Sequence, residues 1–398
     1  MLSPDGTWNW EKQRAERDFL KLAKARGVPH FLAFCNSAPV QFTKNGLATN
    51  TGRDDSINLR DDCYDDFADY IAKAVKGIEQ RDGIRFDYVS PVNEPDGHWN
   101  WLGPKQEGSP AYDTQIARLA RELDKALPAN GVKAKILLNE ASDYRCLVGT
   151  HQTDDRRGYH FRHFFGKGEP ETNVVSLPNV LKLLGGHSYW SNTPVSFMRE
   201  MRIKIREEAQ KYGVKFWQTE YCIMGNDEEI GGGGGYDFTM KTALYVARLM
   251  HHDLCYADAE SWSWWRAAGG DYKDGLLRVY AENGMENGRA VDSKLLWAFG
   301  NFSRFIRPGA VRHEITVRND DGTVKDEGWN EPYGVMCSAY RNANGRWSVV
   351  AINYSEETRS VEFCLADESG RARSPSAPQW RGYRTSDSEG ENLKPVGD

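Results

Sequence analysis

Tyr88-Val-Ser-Pro-Val-Asn-Glu94-Pro95 is the stretch on which the fold turns. Phe86, Tyr88, Val89 and Val92 give an apolar run of strand length. Proline has no N–H to give a central ladder, so the run is expected to stop by Pro95. That leaves the Glu94 carboxylate at the C-terminal end of a buried strand, with the Asn93 amide beside it. Lys215-Phe-Trp-Gln-Thr-Glu220-Tyr221 has the same form. In a (β/α)8 barrel, the C-terminal ends of the strands form the working face.

Working outward, strands and helices alternate. Helices are expected over Trp8–Ala25, Asp61–Gly77, Asp113–Leu127, Val195–Tyr212, Phe238–Leu254 and Ser293–Ile306, each from apolar residues at helical spacing. Strands are expected to end near Asn36, Glu94, Asn139, Tyr189, Glu220 and Trp265. Alternation through six strands argues for an α/β fold with a parallel sheet. Asp61, Asp62, Asp65 and Asp66 are read as acids favouring a helix N-terminus, not as metal ligands. Gly231–Gly235 lacks the Lys-Ser/Thr of a phosphate loop. After Gly309 the pattern changes to short alternating runs, Gly334–Tyr340, Trp347–Asn353 and Ser360–Leu365, expected as antiparallel strands. The domains expected are thus 1–308, of (β/α)8 type, and 309–398, a smaller antiparallel β domain.

Composition narrows the class. The 398 residues are 39% hydrophobic and 27% charged, with a formal net charge of −6, and show no basic cluster to hold nucleic acid. No apolar run approaches the roughly 18–20 residues that span a bilayer. Seven scattered cysteines without CxxC spacing argue against a disulfide framework or a zinc site. No metal or organic cofactor is implied.

Two glutamates at strand ends facing one barrel mouth are what glycoside hydrolysis needs. One carboxylic acid protonates the leaving oxygen, and the other carboxylate attacks the anomeric carbon or activates water. Such an acid stays protonated near neutral pH through burial or a neighbouring carboxylate. Asn93 is placed to donate to a sugar hydroxyl.

The ordered set Phe34-Cys-Asn-Ser-Ala-Pro39, Ser90-Pro-Val-Asn-Glu-Pro95, Trp99-Asn-Trp101, Gln106-Glu-Gly-Ser-Pro110, Gly186-His-Ser-Tyr189, Gln218-Thr-Glu-Tyr221 and Trp262-Ser-Trp-Trp265 resembles glycoside hydrolase family 30, in its endo-β-1,6-galactanase-like branch. Tyr383-Arg-Thr-Ser-Asp-Ser388 resembles that family's side β-sandwich. The resemblance implies a retaining mechanism, with Glu94 as acid/base and Glu220 as nucleophile. It also implies Asn93 at the 2-hydroxyl, Tyr189 near the nucleophile, Asn36 lining the subsite of the attacked sugar and Trp265 as its platform. Trp99 and Trp101 are expected as cleft walls, with packing beneath the Gln106–Pro110 loop as the alternative. His187 is a further substrate-side candidate, or a structural histidine. Glu140, ending the fifth strand, is expected in an ion pair at the barrel rim, with assistance to the chemistry as the alternative.

The implied substrate is a β-linked polysaccharide or oligosaccharide, β-1,6-galactan first. A β-1,6-glucanase, a xylanase or a weakly catalytic carbohydrate-binding relative are the alternatives. Val40-Gln41-Phe42 stands where the family often carries an aromatic pair and Met. The family's first two barrel strands have no counterpart before Trp8, so a piece of a longer, secreted or periplasmic protein is expected. The opening Met1-Leu-Ser-Pro-Asp-Gly-Thr is polar and unlike a signal peptide.

Overall fold

The structure, a computed structural model, describes residues 1–101, 106–225, 227–270, 273–319, 321–325, 330–366 and 380–397. It divides into two compact units. One comprises Met1–Tyr221 with Tyr256–Ser263, the other Cys222–Cys255 with Trp264–Asp398.

The first unit is built on a parallel sheet of five strands in chain order: β1 (Leu32–Phe34), β2 (Tyr88–Ser90), β3 (Lys135–Asp143), β4 (Val180–Tyr189) and β5 (Lys215–Glu220). Register runs Ala33 to Val89 to Ile136, and His187 to Glu220. Val89, Ile136, Leu138, Leu184 and Phe216 are almost wholly buried. Full burial of each such side chain contributes roughly 1.5–3 kcal/mol. Of the six strands expected, five are ladders. The sixth, in the segment before Trp265, is a single parallel bridge between Gln218 and Trp262. Among the described residues the sheet does not close into a ring.

The helices of this unit follow their spacing. In α2 (Tyr64–Asp82), Phe67, Ala68, Ile71, Ala72 and Val75 are buried, Asp65 and Asp66 lie in the first turn, and Gly83 ends the helix in the left-handed region. That placement bears out the acidic N-terminus. In α3 (Asp113–Ala129), Ile116, Leu119, Ala120, Leu123 and Leu127 face the core. Gln115 Oε1 accepts the backbone N–H groups of both Tyr112 and Ile57. The helix α6 (Val195–Tyr212) buries Met198, Met201 and Ile205. The first helix departs from expectation. α1 (Arg14–Ala25) starts after a left-handed Gln13, not at Trp8, and none of its residues is buried. Trp8 instead stacks between Trp10 and Tyr70, and Phe19 and Leu22, two of the helix's apolar residues at helical spacing, are exposed.

The second unit holds α7 (Met240–Tyr256, all but its last residue) and α8 (Lys294–Ser303) with three small sheets. A mixed sheet joins β6 (Ala268–Gly269), β7 (Leu277–Glu282) and β8 (Asn287–Asp292). An antiparallel sheet has the order β11 (Trp347–Asn353), β10 (Val335–Arg341), β9 (Val311–His313). A third pairs β12 (Gly382–Arg384) with β13 (Lys394–Val396). The strand expected over Ser360–Leu365 is absent. That stretch is mostly exposed and has no ladder, and β9 takes the third place in the sheet. The β7–β8 hairpin was not anticipated, although its Asn283-Gly284 turn, with both residues at positive φ, is a hairpin signal.

Candidate active site

The site sits at the C-terminal ends of the parallel strands of the first unit. β2 ends at Ser90, earlier than expected, because Pro91 follows and cannot continue the ladder. Glu94 therefore lies beyond the strand in a loop, at φ 46°. A left-handed residue other than glycine costs about 1–2 kcal/mol, and three hydrogen bonds hold this one. Its N–H donates to the Glu140 carbonyl at 2.8 Å, and its own carbonyl accepts from Gly97 N–H and, at 2.9 Å, from the Trp99 indole.

Four neighbouring strands, β2 to β5, supply the charged centre. His187, at the end of β4, is 1% exposed. Its Nδ1 lies 2.9 Å from Glu94 Oε1 and 3.6 Å from Glu220 Oε1, and its Nε2 lies 3.4 Å from Glu140 Oε2. Burial works against a charge on this ring, but Glu220, Glu140 and Glu94 together outweigh it and hold its pKa well above the usual histidine value. That direction favours the protonated ring, which lies between three carboxyl groups. Tyr189 donates its hydroxyl to Glu220 Oε1 at 3.0 Å. Burial raises the pKa of Glu220, opposed by the His187 charge, pushed further up by Glu94, and eased by the Tyr189 hydrogen bond.

Oxygens of Glu94 and Glu220 and a ring nitrogen of His187 all lie within 4.8 Å of one another, the one such cluster among the described residues. The spacing would suit a cation or a shared proton, and both ring nitrogens face carboxyl groups. We read the cluster as a proton-handling site.

The other candidates fall in different places. Asn93 is buried, and with Asn36, Asn58 and Ser109 it lines a small cavity by the ends of β1 and β2. The Asn36 amide donates to Glu107 Oε1 at 2.8 Å. Trp99 is 7% exposed, its ring laid over Gly108, while Trp101 meets it edge-on and is 41% exposed. Trp99 thus lies beneath the Gln106–Pro110 loop and Trp101 faces solvent. Trp190, next to Tyr189, is also widely exposed. Trp265 is half-buried and belongs to the second unit.

Two side chains of the site escaped the sequence reading, and a third was placed differently by it. Glu107 holds Asn36 from a run quoted only for its pattern, and Thr219 donates its hydroxyl to Glu140 Oε2. Glu140 itself is not at the rim but buried beside His187. Its position at a strand end was the available signal.

Parallel strands that bring two glutamates together at their C-terminal ends define a protein equipped for acid–base and nucleophilic chemistry on one bond. The chain belongs to O-glycosyl hydrolase family 30, whose model matches residues 1–280. It is similar to an endo-β-1,6-galactanase of Hypocrea rufa, 23% identical over 264 residues, which are 66% of this chain and 46% of that protein. It is also similar to a glucuronoxylanase of Bacillus subtilis, 24% identical over 322 residues, 79% of this chain and 58% of the relative. The chain spans about half the length of the curated relatives it matches. Among solved structures, a conserved exported protein from Bacteroides fragilis is 30% identical with a TM-score of 0.84. The match covers 100% of this chain and 78% of that one.

Proposed function

We propose that the protein is a retaining endo-glycosidase acting on a β-linked polysaccharide, β-1,6-galactan first among the candidates. The observation that carries this reading is the approach of Glu94 and Glu220 oxygens to within 4.8 Å. Carboxyl groups about 5–5.5 Å apart suit double displacement, whereas inversion needs about 6.5–9.5 Å to admit a water. In the first step Glu220 attacks the anomeric carbon as the glycosidic bond breaks, and Glu94 delivers its proton to the departing oxygen. In the second, Glu94 takes a proton from water, the water oxygen bonds to the anomeric carbon, and the ester to Glu220 breaks. Asn93 supplies a donor to the sugar, and Trp101 and Trp190 offer rings on which sugar C–H faces pack. The full frame of such a site is a (β/α)8-type barrel with a side β-sandwich. An exported setting fits a polysaccharide substrate, and the Bacteroides fragilis neighbour is described as exported.

Azide separates the two roles. Glu94→Ala should keep turnover of aryl β-galactosides with good leaving groups, which need no protonation, and should yield a β-galactosyl azide. Glu220→Ala should lose nearly all turnover and form no azide product of retained configuration. The reverse pattern would exchange the residues. Because a glucuronoxylanase is matched over more of the chain than the galactanase, the wild type is assayed on glucuronoxylan and β-1,6-glucan alongside de-arabinosylated arabinogalactan. Release of oligosaccharides from either alternative alone would change the substrate assignment but not the mechanism.

A further inference from the structure

Glu140 touches both halves of the centre. Its carbonyl accepts the Glu94 N–H at 2.8 Å, and its Oε2 faces His187 Nε2 at 3.4 Å. Like Glu94, it sits in the left-handed region, at φ 57°. Glu94 just beyond β2 and Glu140 within β3 are therefore non-glycine residues in a disfavoured conformation, tied by one backbone hydrogen bond. The surroundings over-determine such a conformation where it persists. The Glu140 side chain is 3% exposed, takes the Thr219 hydroxyl on Oε2, and leaves Oε1 buried without a hydrogen-bond partner. A buried charged carboxylate with one oxygen unsatisfied is costly unless an opposite charge compensates it. The cation it faces is His187. Gly185 fits this arrangement, since a Cβ there would stand 3.1 Å from Glu140 Oε2 and from the Thr219 side chain.

We propose that Glu140 is the positioning carboxylate of the site: by engaging the Nε2 edge of the buried His187 ring it turns Nδ1 toward Glu94 and fixes a cation between Glu94 and Glu220. The inference rests on the retaining reading for its consequence in catalysis, but its physical core is separate from it. Ionisable groups face the ring from each strand end packed against it: Glu94 beyond β2, Glu140 on β3 and Glu220 on β5, with Tyr189 on its own strand. With Glu140 neutral, two carboxylates remain on the Nδ1 edge and none on the Nε2 edge. The ring is then free to turn about its χ2 angle and is less able to keep two protons.

The test combines a spectroscopic signature with kinetics on the full chain. In protein carrying isotope-labelled histidine, the His187 signals are assigned by their loss in His187→Gln. In the wild type the ring should stay doubly protonated through neutral pH. In Glu140→Gln its titration midpoint should fall by about 1–3 pH units, the scale of an opposite charge within a few ångströms, while the other histidines keep theirs. On any substrate the wild type turns over, kcat should fall at least about tenfold, with KM changed less. Glu140→Asp keeps the charge, so it should hold the ring protonated and recover part of kcat. It also serves if Glu140→Gln does not fold. An unmoved His187 midpoint and unchanged kcat, with only a lower Tm, would overturn the proposal and leave Glu140 a structural ion pair. If the wild type cleaves no glycoside, the retaining reading fails, yet the His187 midpoint still decides the positioning role.

Discussion

Glu220 holds a carboxylate where burial resists its charge, and Tyr189 is the neutral group set against that resistance. The hydroxyl donates to Oε1 and so favours the ionised form, the one the proposed mechanism needs. Removing it in Tyr189→Phe should raise the Glu220 pKa further. A hydrogen bond to a charged group contributes about 1.5–3 kcal/mol, which corresponds to about 1–2 pH units. Because Glu220 must be ionised to act, the acid limb of kcat/KM against pH should move to higher pH by about that amount. A limb that stays in place or moves down would mean that another group controls it. Glu94 and Glu220 were legible in the sequence because each ends an apolar run, so the chain itself says which end of the strand they occupy. Glu140 has the same signature, and what it faces was not legible. Its distance to His187 depends on the register shifts between β3 and β4, a property of two strands that neither sequence carries alone.

Trp99 shows how a loop after a strand fixes a side chain the strand does not reach. Its indole N–H ties down the Glu94 carbonyl, and Gly108 gives the ring its place. A Cβ at Gly108 would stand 2.2 Å from the ring, and the ring cannot retreat without breaking the bond to Glu94. Gly108→Ala should therefore cost about 1–3 kcal/mol of stability, as overpacked sites do, and lower activity through Glu94. Trp99→Ala should cost about 3–5 kcal/mol, the scale for emptying a buried aromatic site. For exposed Trp101, truncation to Ala should raise KM with little change in Tm. Thermal melts beside steady-state kinetics check all three. A Trp99→Ala variant that melts normally and loses only substrate affinity would restore Trp99 to the cleft wall. The elements themselves were unevenly legible. α2, α3 and α6 carry sustained apolar stripes, and their burial follows the spacing. α1 has the same spacing, but burial needs a partner surface as well as a pattern, and Phe19 and Leu22 meet none among the described residues. Ser360–Leu365 alternates like a strand, yet pairing is decided by the neighbour, and β10 pairs with β9 and β11 instead.

At the scale of the whole fold, strand–helix alternation was enough to give the parallel sheet and its order. Compactness groups Cys222–Cys255 with the later unit and Tyr256–Ser263 with the earlier. Invisible in the sequence is a buried ionisable cluster that ties α3 to α5 (His160–Phe165) and β3. Asp113 Oδ2 lies 2.6 Å from His163 Nδ1, Asp113 Oδ1 lies 3.5 Å from His160 Nε2, and His160 Nδ1 meets the Asn139 amide at 3.2 Å. Burial pushes the Asp113 carboxyl up to about 7 against the pull of His163, and burial together with His163 takes His160 down to about 3. The two act on stability with opposite sign. Asp113, raised from 3.8, stabilises the fold fully below that value, and the contribution is lost as pH rises to about 7. His160, depressed from 6.5, stabilises above that value, and the contribution is lost as pH falls toward about 3. Between pH 4 and 6.5, roughly, the folded state holds one proton more than the unfolded state at Asp113 and one fewer at His160, so the slopes offset. Breaking either should expose the other. Relative to the wild type, Asp113→Asn should gain stability with rising pH across that window, by up to about 1.4 kcal/mol per pH unit. His160→Gln should lose stability over the same window at a similar rate. Urea unfolding of the three proteins at pH values spaced across the window measures both slopes. Parallel curves for wild type and Asp113→Asn would show that the carboxyl ionises alike in the folded and unfolded states, and that the cluster is held by packing and not by its protons.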